Sequence, residues 1–266
     1  MCTLTWTHRA THRATHSAAA GGPGGYRLWF NRDERRTRSA EVPPRVTRPS
    51  HGVAYIAPED SEAGGTWIAV NAFGITVALL NGYRSSLGAD REDWTSRGHL
   101  VRELAEARRV SEVWRRMAPK QLRVFRPLVL AVIPPDQPAL IARWDGRDVT
   151  LDPRGHRQLP LTSSSYEQSE VQTRRRSLYA EQVRVDSTTG EALDPTELAS
   201  FQRWTPKTGP DAFSPSMSRP DATTRSQCQI EVTPDNVLFR YTPGPPHCTP
   251  QDPPVQLARS SGSRTL

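Results

Sequence analysis

A chain of 266 residues with 35% apolar content is long enough to bury a full core as one large domain or two small ones, and one is expected. Its formal net charge of +7 is almost wholly arginine, held in short knots with acidic residues close by and no interleaved aromatics. This argues against nucleic acid as a partner, because such a face wants a continuous basic stripe or a stacking platform.

The chain opens Met1-Cys2-Thr3-Leu4. Cysteine is small enough for a preceding methionine to be trimmed, which would leave one residue carrying both a thiol and a free α-amine, a nucleophile and its base together. The plainer alternative is a small residue in a first strand. Cys2, Cys228 and Cys248 cannot all pair and show no CxxC spacing, so a reduced cytoplasmic protein with no metal and no cofactor is the simplest expectation. No run of 18 apolar residues occurs and the start lacks the apolar middle of a secretory signal, so no membrane insertion is expected.

Residues 7–25 carry His-Arg-Ala-Thr at His8 and again at His12, then His16 and a glycine-rich run. Histidines at this spacing could share a helical face and hold a metal, but the polar composition and the glycines predict an extended hairpin loop. The segment is also acid-free, arginine-bearing and rich in threonine, as a mitochondrial transit peptide would be, and cleavage there would discard Cys2.

Tyr26 to Phe30 reads as a strand ending at Asn31, Val42 to Pro49 as proline-punctuated loop, and Val53 to Ala57 as another short strand. Two apolar runs, Gly64 to Asn71 and Ile75 to Asn81, joined by a turn at Ala72 to Gly74, predict a hairpin buried on both faces. Helices are predicted after Ser96 and from Ser111 to Met117, then strands at Leu128 to Ile133, Ala139 to Trp144 and Val149 to Leu151. Further helices follow over Glu167 to Val183 and, capped by Asp194 with Pro195 in the first turn, to Trp204. Eleven of the 24 prolines lie between Pro206 and Pro254, so that part is expected to be mostly loop, interrupted by a strand pair at Ser226 to Val232 and Val237 to Tyr241. Residues 1–242 would make the domain and 243–266 a disordered tail. This order suits an α+β fold of two antiparallel sheets between helical layers.

Asn31-Arg32-Asp33-Glu34, the opening Met-Cys-Thr-Leu, and Gly64-Gly65-Thr66-Trp67 with Asn71, Gly74 and Leu79-Leu80-Asn81 together resemble the NRDE family, which includes the transport and Golgi organisation 2 proteins. Ser96-Arg97-Gly98, Phe125 to Ala131, and Thr224-Arg225-Ser226 stand where similar family segments do. The resemblance implies a four-layer αββα sandwich of the N-terminal-nucleophile hydrolase type. More distantly, Cys2, Asn81 and Arg225 fall where choloylglycine hydrolase and penicillin acylase relatives keep a nucleophile, an oxyanion-binding asparagine and an arginine. Arg32 and Asp33 resemble the pair that holds the terminal cysteine in those enzymes. At Leu161 to Ser165 the family more often shows an asparagine, so a second oxyanion donor is either missing or supplied by a hydroxyl or backbone group.

Two functions are compatible with these residues. One is a cysteine-dependent amidohydrolase or acyltransferase working on a small-molecule acyl amide. The other is a binding or trafficking protein for haem or a lipid-like acyl ligand on the same scaffold. Oligomeric state has no signature in the sequence.

Overall fold

The computed structural model describes residues 2–8, 24–83 and 93–260. Its first sheet contains strands β1 (Cys2–His8), β2 (Tyr26–Arg35), β10 (Leu161–Ser163), β11 (Ala222–Val232), β12 (Asn236–Thr242) and β13 (Val255–Ala258), in the order β10-β1-β2-β11-β12-β13. The second runs in chain order through β3 (Val42–Thr47), β4 (Tyr55–Glu59), β5 (Ile68–Asn71), β6 (Thr76–Asn81), β7 (Leu128–Ile133), β8 (Leu140–Trp144) and β9 (Val149–Asp152). All pairings are antiparallel.

Period-two patterning decides how the layers stack. In β1 the apolar residues Leu4 and Trp6 enter a core shared with Leu28 and Phe30 of the first sheet and Ile56, Ile68, Val70, Leu80 and Ile133 of the second. The intervening threonines turn outward to a helical layer. That layer comprises α4 (Gln168–Gln182) and α5 (Pro195–Arg203), and Gln202 of α5 donates to Thr5 Oγ1 at 3.0 Å. The outer face of the second sheet, with Ala69, Val77, Leu79, Leu130 and Val132, packs under α1 (Arg97–Ala105), α2 (Val110–Arg116) and α3 (Pro119–Leu122) through Leu100, Leu104, Val113 and Leu122. Two sheets face to face with helices outside give the α+β, αββα arrangement.

The buried hairpin β5–β6 stands where its two apolar runs place it, and Asp194 caps α5 by accepting from Thr196 N at 2.8 Å. Four segments differ from expectation. Val42 to Thr47 is a strand, because its prolines sit at a sheet edge where the register shifts between Val42 and Arg45 and no ladder donor is needed. Leu161–Ser163 is a strand that a three-residue stretch is too short to announce. Ser111 lies inside α2 and Pro119 begins α3. Residues 243–260, predicted as disordered tail, end in β13, where buried Leu257 pairs with Val237 and Ser260 N donates to Ala72 O at 2.7 Å. Of the predicted 7–25 loop, Thr7 and His8 belong to β1, and residues 9–23, with His12 and His16, lie outside the described residues.

Candidate active site

Cys2 is the first residue of β1, and its neighbours across the ladder are Ser163 on β10 and Arg32 on β2, with Ser226 of β11 opposite Arg32. Directly opposed residues of antiparallel strands share a face, so Ser163, Cys2, Arg32 and Ser226 form one polar row on the side turned to the second sheet. The row borders a cavity of about 150 Å³ whose walls include Cys2, Arg32, Asp33, Glu34, Arg38, Asp60, Trp67, Asn81, Ser96, Arg97 and Gly98. Four of the five site residues expected from the sequence, Cys2, Arg32, Asp33 and Asn81, therefore stand around one space.

Two glycine-bearing motifs build the far wall. Gly65, ahead of β5, and Gly98, in the first turn of α1, meet backbone to backbone: a Cβ on Gly65 would lie 2.6 Å from Gly98 C, and one on Gly98 2.8 Å from Thr66 N. Thr66 N donates to Gly98 O at 3.2 Å. Only glycine permits this approach, and it brings Trp67 and Arg97 to the same cavity.

The residues of the tetrapeptide on β2 divide their work by strand parity. Asn31 is fully buried; its Nδ2 donates to Gln202 O at 2.7 Å and Pro215 O at 2.9 Å, and its Oδ1 accepts from Gln227 at 2.9 Å, so it fixes the helical layer. Arg32 turns the other way, its guanidinium carbon 4.4 Å from the Trp67 ring centre, with Glu41 at 3.4 Å, Glu34 at 3.7 Å and Asp60 at 4.0 Å. Asp33 accepts from Thr224 Oγ1 at 2.6 Å, and its other oxygen lies 3.6 Å from Nη2 of the fully buried Arg175. Arg175 also donates to Thr3 Oγ1, to Phe213 O at 3.1 Å and to Ser214 O at 2.7 Å. Burial lowers its basicity and Asp33 counters that.

Asn81 shares a face of β6 with Val77 and Leu79, and its Nδ2 donates to Tyr83 Oη at 3.3 Å. Arg225 does not line the cavity. The register between β2 and β11 shifts between Thr224 and Ser226, which makes Arg225 the extra residue of a bulge, and its Nη1 reaches Arg36 O at 3.4 Å. The arginines that line the cavity are Arg32, Arg38 and Arg97, not the Arg225 that the family resemblance implied, and Arg175 stands behind Asp33. Arg175 did leave a trace in the sequence: it stands at helical spacing between Val171 and Tyr179, a charge inside an apolar stripe. His8, one of the candidate metal ligands, has Nδ1 2.9 Å from Glu191 and Nε2 3.0 Å from Pro134 O.

A family model described as Transport and Golgi organisation 2 matches residues 1–136. The chain belongs to that family. Among curated proteins none matches the sequence. Solved structures similar to this family member include penicillin V acylase from Agrobacterium tumefaciens, 12% identical over 80% of this chain and 78% of that one, with a TM-score of 0.45. The Caenorhabditis elegans ortholog of N-acylethanolamine-hydrolyzing acid amidase is 9% identical over 86% and 92%, with a TM-score of 0.48. A mutant conjugated bile acid hydrolase from Clostridium perfringens is 12% identical over 89% and 88%, at 0.44.

Burial pushes the Cys2 thiol up to about 11, with Asp33 adding to the rise and Arg32 opposing it. Burial likewise raises Cys228, Tyr26, Tyr179 and Tyr241 above their ordinary values. Each is an acid that keeps its proton longer in the folded than in the unfolded chain. Their contribution is complete below the unfolded pKa and is lost as pH rises through the folded one. For Cys2, from 9.0 to about 11, the loss is roughly 3 kcal/mol. Thermal unfolding followed from pH 7 upward should show a midpoint falling steeply once pH passes about 9, and Cys2→Ala should flatten the first part of that fall. A midpoint that holds steady to pH 11 would contradict these shifts.

Among the described residues no helix is long and apolar enough to cross a membrane.

Proposed function

We propose that this chain is an amidohydrolase or acyltransferase that uses Cys2, after removal of Met1, to attack a non-peptide acyl amide. The observation that carries this is the place of Cys2: first residue of its strand, between Ser163 and Arg32, in the wall of a cavity that also includes Asp33 and Asn81. The family resemblance supports the same chemistry.

Burial holds the thiol up, so the α-amine, ordinarily near 8, loses its proton first, and the reactive form is a neutral thiol beside a neutral amine. The amine therefore acts as general base in step with attack. Sulfur bonds to the carbonyl carbon, the thiol proton passes to the α-amine, and the C–N bond breaks as that proton reaches the leaving amine. The product is an acyl thioester on Cys2. Water completes hydrolysis, or an amine or alcohol completes transfer, and the thiol is restored. Asn81 supplies a neutral donor for the oxyanion. Ser163 supplies the second, since its Oγ is buried beside Cys2 and has no hydrogen-bond partner among the described residues. Asp33, fixed by Thr224 and Arg175, orients the α-amine.

Intact-mass measurement tests this directly. The purified protein should begin at Cys2, and brief exposure to a panel of acyl 4-nitroanilides should add one acyl mass, removable by hydroxylamine, to the N-terminal peptide. Retained Met1, or a start near Gly25, would end the proposal.

A further inference from the structure

The cavity beside Cys2 holds a guanidinium that no carboxylate of the described residues contacts as an ion pair. Among the arginines in its walls, Arg32 is surrounded by Glu34, Glu41 and Asp60. Arg38 lies 2.6 Å from Asp60 and within ion-pair reach of Glu34 and Glu62. Asp33, the remaining wall carboxylate, faces Arg175. Every carboxylate of the wall is thus committed to an arginine other than Arg97. Arg97 has no carboxylate in ion-pair contact among the described residues; its one hydrogen bond there is from Nη1 to Pro127 O, at 2.9 Å. Among the described residues most of the N–H donors of its guanidinium have no partner.

A half-buried cation without a counter-charge is costly to hold, and burial does lower the basicity of Arg97. The Gly65–Gly98 contact fixes the helix start from which this residue projects, so the charge is positioned and cannot swing away with a loop. Its planar fork suits a carboxylate better than a point charge would.

We infer that Arg97 is an anion-recognising residue, and that the acyl amides this cavity takes carry a carboxylate a few atoms from the scissile carbonyl. This rests on Cys2 being the reacting group, and the test separates the two. The probes are N-bromoacetyl-β-alanine and its neutral N-methylamide, which share one reactive carbon and differ in a single charge. Each forms a thioether with loss of bromide, and peptide mass spectrometry reads Cys2 separately from Cys248, an exposed thiol that serves as internal reference.

The acid should alkylate Cys2 about tenfold faster than the amide after normalisation to Cys248, the worth of one charge-assisted contact. Arg97→Gln should bring that ratio close to the Cys248 value, and Arg97→Lys should keep part of it. Equal rates for the two probes in the wild-type protein would overturn the inference and leave Cys2 as nucleophile intact. Equal slowing of both by Arg97→Gln would also overturn it, since Arg97 would then act on thiol ionisation alone. If neither probe reaches Cys2 while Cys248 is labelled, both proposals fall.

Discussion

Cys2→Ala is expected to lower turnover of a cleavable acyl amide by roughly 10⁴-fold or more, because a nucleophile that forms the covalent intermediate has no substitute in the row it belongs to. Stability at neutral pH should change by only about 1 kcal/mol, since the substitution removes one sulfur from the end of a strand whose Leu4 and Trp6 still anchor it in the core. Steady-state kinetics beside thermal unfolding separates the two effects. Cys2→Ser should retain a trace of activity that rises with pH. Unchanged turnover in Cys2→Ala would place the chemistry elsewhere and leave a binding role as the remaining function.

Loss of Arg175 should be the most damaging single change to the fold near the site. Arg175 and Asp33 have fully buried side chains, and removing one partner strands the other charge in the interior. Arg175→Met is expected to cost about 3–5 kcal/mol and to lower the unfolding midpoint by roughly 10 °C. Adding Asp33→Asn should recover part of that loss, because the uncompensated charge goes with it. A midpoint within about 2 °C of wild type would mean that the pair contributes little.

Where the sequence is patterned by side-chain alternation or helical period, the structure follows it closely. The β5–β6 hairpin and the α5 cap both show this. The site was legible in part for another reason. Cys2, Arg32, Asp33 and Asn81 belong to motifs whose combination resembles a family, whereas nothing local says that Asn31 and Asp33 face the helices while Arg32 faces the cavity. Arg225 illustrates the limit. Its position depends on a bulge, and a bulge is a mismatch between two strands far apart in the chain. Arg97 belongs to a legible motif, but that no described carboxylate pairs with it depends on how Glu34, Asp60 and Asp33 pair with other arginines. The β13 edge is not legible in the sequence because prolines exclude helix and central strand without excluding an edge.

The meeting of Gly65 and Gly98 limits how this cavity can diversify. A wall made where two backbones touch has no side chain there to exchange, so single substitutions at that point can break the contact but cannot reshape it. Variation in ligand preference is expected to enter through the residues that flank it, Trp67 on one strand and Ser96 and Arg97 on the helix, or through a shift of α1 as a whole. Those flanking positions are where a designed change of specificity should begin.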